Sequence, residues 1–73
     1  MIKLQLLDSL RREQEKPQPE DYIYINPNQI IWVKELWDYK LEYWYTAMKM
    51  NDAYFDVLES PKQIIKLIKE QND

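Results

Sequence analysis

The side chains able to do acid–base or nucleophilic chemistry here are few in kind. The 73-residue chain has no Cys and no His, which excludes thiolate nucleophiles, imidazole bases, disulfides and the usual zinc ligands. Ten of the 13 carboxylates fall into two groups: Asp8, Glu13, Glu15, Glu20 and Asp21, then Glu35, Asp38, Glu42, Asp52 and Asp56. A glycoside-cleaving pair needs two carboxylates facing each other across a cleft, and no spacing here singles one out. Asp56 alternates with Phe55 and Val57 and should point outward, so the carboxylates read as solvated surface charge. Ser9, Thr46 and Ser60 have no histidine base. Glycine is absent, which removes every phosphate-cradling loop and leaves Asn or Asp to supply any turn with positive φ. Lys62, Lys66 and Lys69 read as a solvated helix face rather than a phosphate track. Met48 and Met50 read as gap-fillers near a hairpin. The expectation is no catalytic residue, no metal ligand and no cofactor site, and hence not an enzyme.

The aromatic residues carry more information. Six Tyr, three Trp and one Phe all lie between Tyr22 and Phe55. That is more ring area than a small core can enclose, so part of it should form an exposed face. Exposed rings on a sheet stack on unpaired bases or bury against another protein. Base stacking normally comes with neighbouring cations, yet Tyr22–Tyr45 has only Lys34 and Lys40 beside Glu35, Asp38 and Glu42. The whole chain is acidic, with 10 basic residues, 13 acidic residues and a formal charge of −3. Protein contact is therefore the favoured use of the aromatic face.

The segments that must position these rings follow from periodicity. Met1–Leu7 fits a strand with Ile2, Leu4 and Leu6 on one face; it also fits a helix opening through Leu4, Leu7 and Leu10 and running to about Lys16. Residues 8–21 form a charged connector with Pro17 and Pro19, with room for a helical turn around Ser9–Glu15. Tyr22–Asn26 alternates Tyr and Ile as a half-buried strand, and Asn26-Pro27-Asn28 is a turn. Ile30–Asp38 is a third strand and Tyr39–Met50 a fourth, with Leu41, Tyr43 and Tyr45 on one face and a tight turn or bulge at their junction. By alternation with Ile25 and Leu36, Tyr24 and Trp37 lie on the face away from the isoleucines that meet the helix. Asn51-Asp52 is a hairpin turn suited to left-handed backbone, and Ala53–Glu59 is the last strand. Ser60, Pro61 and Gln63 form a capping box that opens a helix with an apolar stripe of Ile64, Ile65, Leu67 and Ile68. No apolar run is long enough for a transmembrane helix or a secretory h-region.

The order of these motifs resembles small FlbD-like proteins of flagellar gene clusters and similar short bacterial and phage sequences. The matching residues are the Met-Ile-Lys start, Tyr24-Ile25-Asn26-Pro27-Asn28, Ile30, Val33, Asn51-Asp52, Tyr54–Val57, Glu59-Ser60 and Gln63–Ile68. The resemblance implies a strand at the N-terminus and a structural likeness without catalytic residues. The chain departs from it in the charged stretch of residues 8–21 and in the longer, more aromatic Lys34–Tyr45.

The expected architecture is α+β, in one domain over residues 1–73. A small antiparallel twisted sheet of four to five strands carries the C-terminal helix on one face. The expected core is Ile23, Ile25, Ile30, Leu41, Phe55, Val57, Ile64, Leu67 and Ile68. The expected function is a non-enzymatic, self-associating protein-interaction module, a bacterial or phage accessory protein of the cytoplasm with no membrane association. Its partner would bind through Tyr22, Tyr24, Trp32, Trp37, Tyr39 and Trp44. The alternative is a small nucleic-acid-associated regulator that stacks bases on the same rings.

Overall fold

A computed structural model describes residues 1–11 and 16–71. Strands β1 (Ile2–Gln5) and β2 (Tyr22–Ile25) form an antiparallel pair. Strands β3 (Ile30–Asp38), β4 (Tyr43–Met50) and β5 (Tyr54–Val57) form a three-stranded antiparallel sheet in that order. Helix α1 (Pro61–Gln71) closes the chain. The protein is α+β, but the strands make two sheets rather than the single sheet expected. The reason lies just after β1, where the chain turns into a 3₁₀ helix at Leu7–Arg11. Among the described residues one ladder position is left to join the sheets, Leu6 opposite Val57, with Leu58 N–H donating to the Gln5 carbonyl at 2.9 Å.

The N-terminal segment is a strand, and its even positions face inward: Ile2 and Leu4 are buried and Leu6 packs against them. The core gathers Ile2, Leu4, Ile25, Met48, Met50, Val57 and Ile64, with Ile23, Ile30, Val33, Phe55, Leu67 and Ile68 packed on it. Burying one such aliphatic side chain contributes about 1.5–3 kcal/mol. Eight of the expected core residues are in this cluster. Leu41 is not, because it lies in the β3–β4 turn rather than on β4. Met48 and Met50, read as gap-fillers, are central core residues.

The corner where β5 meets α1 is held by polar groups. Glu59 accepts the Gln5 N–H on both carboxylate oxygens, at 3.0 and 3.1 Å. Its carbonyl accepts the Thr46 hydroxyl at 2.6 Å, and Thr46 is fully buried. The capping box forms as expected: the Gln63 side chain accepts from Ser60 N–H at 2.7 Å, and Ser60 Oγ accepts from Gln63 N–H at 3.2 Å. The helix stripe is narrower than expected. Ile64 is buried and Leu67 and Ile68 pack on the core, but Ile65 is 50% exposed, since it falls about 100° round the helix from Ile64.

Three turn expectations change. The fourth strand starts at Tyr43, because Asp38 Oδ1 accepts both the Lys40 and Leu41 N–H groups at 2.9 Å and folds 39–42 into a turn. Among the described residues the left-handed position is Glu42, φ 51°, and neither Asn51 nor Asp52 has positive φ. The carboxylate of Asp21 is not solvated: the residue is 5% exposed and Oδ2 accepts the Gln18 N–H at 2.7 Å. The helical turn expected around Ser9–Glu15 lies partly outside the described residues.

Replacing Ser60 by Ala is expected to cost about 1 kcal/mol and lower the thermal midpoint by roughly 4–8 °C. An unchanged midpoint would mean that the cap does not hold the start of the helix. Replacing Glu42 by Gly should raise stability by about 0.5 kcal/mol, since left-handed backbone disfavours any residue with a Cβ. Urea unfolding reads this as a higher midpoint at unchanged slope.

Candidate functional site

The register decides where each ring points. Between Ile30 and Trp32 the β3–β4 ladder shifts by one residue at a bulge. Residues directly opposite each other across an antiparallel pair share a face. Ile30, Val33, Glu35 and Trp37 therefore share the inner face with Met50, Met48, Thr46 and Trp44. Trp32, Lys34, Leu36 and Asp38 share the outer face with Lys49, Ala47, Tyr45 and Tyr43. The β4–β5 ladder adds Phe55 and Val57 to the inner face and Tyr54 and Asp56 to the outer. Trp37 is thus on the helix side of the sheet, contrary to the alternation argument. The bulge inserts one residue, and every position beyond it changes face relative to Ile30.

The six residues expected to bind a partner do not form one surface. Tyr22 and Tyr24 lie on the outward side of the β1–β2 pair, where Lys3 places its ammonium 4.3 Å from the Tyr22 centroid and 5.9 Å from that of Tyr24. Trp32 lies on the outer face of the three-stranded sheet, 6.2 Å from Tyr54 in a tilted contact. Lys49 sits 4.1 Å from the centroid of that tyrosine. Tyr39 is at the tip of the β3–β4 turn and 87% exposed. Trp37 and Trp44 pack edge-to-face, with centroids 5.2 Å apart and planes at 64°.

The Trp37–Trp44 pair floors a cleft of about 590 Å³ between the far end of the β3–β4 hairpin and the start of α1. Glu35 and Glu42 line it from the hairpin, and Leu58, Ser60, Lys62 and Gln63 line it from the helix side. The hairpin supplies length: β3 and β4 run past the end of β5, so Trp44 has no β5 partner and stays 55% exposed. The helix cap supplies the opposite wall.

Sequence reasoning misses Tyr54 and the carboxylates of Glu35 and Glu42 as members of these surfaces. Tyr54 is legible as the residue alternating with Phe55. The cleft depends on the bulge and has no local signal. Among the described residues no group of three or more carboxylates could hold a metal ion, and no helix is long and apolar enough to cross a membrane. Compared with known proteins, the chain matches no family model, no curated protein and no solved structure.

The two indoles of the edge-to-face pair are close enough for their transitions to couple. Far-ultraviolet circular dichroism should show a paired positive and negative indole band. Trp44→Leu should abolish it and Trp32→Leu should leave it intact; its survival in the Trp44 variant would disprove the pairing.

Proposed function

We propose that the chain is a non-enzymatic protein-interaction module that self-associates through the outer face of its three-stranded sheet. The observation that supports this reading is the character of that face. A one-sided antiparallel sheet normally turns polar residues to water. Here the outward positions include Trp32, Leu36, Tyr43, Tyr45, Ala47 and Tyr54, and Tyr54 is 70% exposed. An outward sheet face this rich in aromatic residues, with Lys34 and Asp56 interspersed, suits an interaction surface on a small protein.

Its charges suit a second copy. Lys34 and Lys49 balance Asp38 and Asp56 on this face, so the formal charge of −3 resides on the rest of the chain. Two copies meeting here avoid the mutual repulsion that other approaches would carry. The setting that goes with the reading, following the FlbD-like resemblance, is an accessory protein in a bacterial cytoplasm or that of a phage host.

A nucleic-acid-associated regulator is the second reading, favoured by Lys3 beside Tyr22 and Tyr24. It is the weaker one, because Lys3 already sits over the Tyr22 ring and Glu35 and Glu42 flank the Trp pair. Binding to nucleic acid would fall steeply between low and moderate salt.

Replacing Trp32 and Tyr54 together by Glu tests the reading. Lys49 neighbours both positions and can pair with the new carboxylates, while the ring contact and the cation–π contact are lost, so each substitution should cost about 1 kcal/mol and leave the chain folded. Sedimentation is expected to show a concentration-dependent assembly for the parent chain and a folded monomer for the variant. A parent that stays monomeric at every concentration would end the self-association reading, and a variant that still assembles would move the interface elsewhere.

A further inference from the structure

Three aromatic neighbourhoods are exposed, and two of them contain their own cation. Lys3 lies over Tyr22 and Tyr24, and Lys49 over Tyr54. The third is the Trp37–Trp44 pair, and among the described residues no ammonium stands over either of its rings. The charged residues of the hairpin that line its cleft are instead the two carboxylates Glu35 and Glu42. Lys62, across the cleft on α1, leaves the lining with one more carboxylate than ammonium.

We propose that this cleft receives an arginine side chain from a partner polypeptide. The Trp pair belongs to the helix side of the sheet, while Tyr43 and Tyr45 line the cleft and also belong to the self-association face, so the two surfaces adjoin along β4. Indole is the strongest of the aromatic side chains in attracting a cation to its ring face. A guanidinium is planar, stacks on such a face and donates to carboxylates in a fork, which an ammonium does not. Edge-to-face packing leaves one indole presenting its face while the other closes the side, so a flat cation fits better than a bulky one. Glu35 precedes Trp37 by two residues on the same strand face and Glu42 ends the β3–β4 turn, so carboxylates line the cleft on both sides of the pair along the hairpin. A cleft of about 590 Å³ takes an arginine with its neighbouring backbone, not a folded element. The partner segment is therefore an extended stretch with an arginine anchor, a residue type enriched at interface hot spots.

The three tryptophans make the test internal to the molecule. The probe is the peptide Gly-Gly-Arg-Gly-Gly with blocked ends, and its control carries neutral citrulline in place of arginine. Indole N–H resonances are followed by heteronuclear NMR, with Trp32 assigned through the Trp32→Phe variant. The arginine peptide should move two indole resonances in a saturable way and leave that of Trp32 in place. The citrulline peptide should bind at least about tenfold more weakly, as should the arginine peptide to the Glu35→Gln/Glu42→Gln double variant. Both substitutions are on exposed residues, and unchanged positions of the remaining resonances would show that the variant is folded. Equal shifts from the two peptides, movement of Trp32 together with the other two, or full affinity in the double variant would each overturn the proposal. So would shifts of the two indoles on raising protein concentration alone, since the occupant would then be a second copy of the chain.

Discussion

The hydrogen-bonded corner at Glu59 is what turns two small sheets and a helix into one structure. Without it β1 and β5 share a single ladder position, which is too little to fix the angle between sheets. Glu59 adds its carboxylate to the Gln5 N–H and its carbonyl to the Thr46 hydroxyl, tying β1, β4 and the β5–α1 turn to one residue. The next residue, Ser60, opens the helix through its reciprocal contacts with Gln63. The helix axis is thus set by the same corner that sets the sheets. Removing a partner from a buried hydrogen bond strands the other, which costs more than the bond itself contributes. Thr46, with no exposed surface, is the member least able to find water instead.

That corner also explains why the aromatic residues are exposed. The core lies where β1, β2, the Met48–Met50 end of β4, β5 and α1 converge, and it is filled by aliphatic and methionine side chains. The β3–β4 hairpin runs past the end of β5, beyond that core. Strands outside a core must be held by cross-strand pairs, and large rings are effective there because they touch opposite neighbours. Trp37 with Trp44 is such a pair. The rings therefore stabilise the hairpin and remain partly exposed. Both properties come from the same geometry.

Much of this is legible in the order of residues alone. Strict alternation in Tyr22–Asn26, the proline turn after it, the span Ile30–Asp38 and the Ser60–Gln63 cap are local signals, and the fold follows each of them. What escapes such reading depends on contacts distant in sequence. No residue type announces the bulge at Ile31, yet it moves Trp37 from one face to the other. The absence of glycine suggests Asn51 and Asp52 for left-handed backbone. The Asp38 side chain instead holds the β3–β4 turn closed, and Glu42 takes the unfavourable conformation. Asp21 reads as part of a charged, solvated connector, but it leads directly into the second strand and its carboxylate accepts the Gln18 N–H at the start of the 3₁₀ turn Pro19–Asp21.

The partition of charge among the aromatic surfaces is the last consequence of register. Opposite residues share a face, so Lys3 is delivered to Tyr24 by the β1–β2 pairing, and Lys49 to Trp32 and Tyr54 by the pairings of β4. In the same way Glu35 and Thr46 share a row next to that of Trp37 and Trp44. Two ring clusters are thus supplied with a cation from within the chain, while the third is supplied with a carboxylate. A built-in lysine lowers the attraction of a ring for any incoming cation, because the ring face is already occupied and the local potential is positive. A carboxylate beside two indoles does the reverse, leaving the ring faces open and adding a negative field. The rings are chemically similar in all three places. Their neighbours across the ladder make them different surfaces.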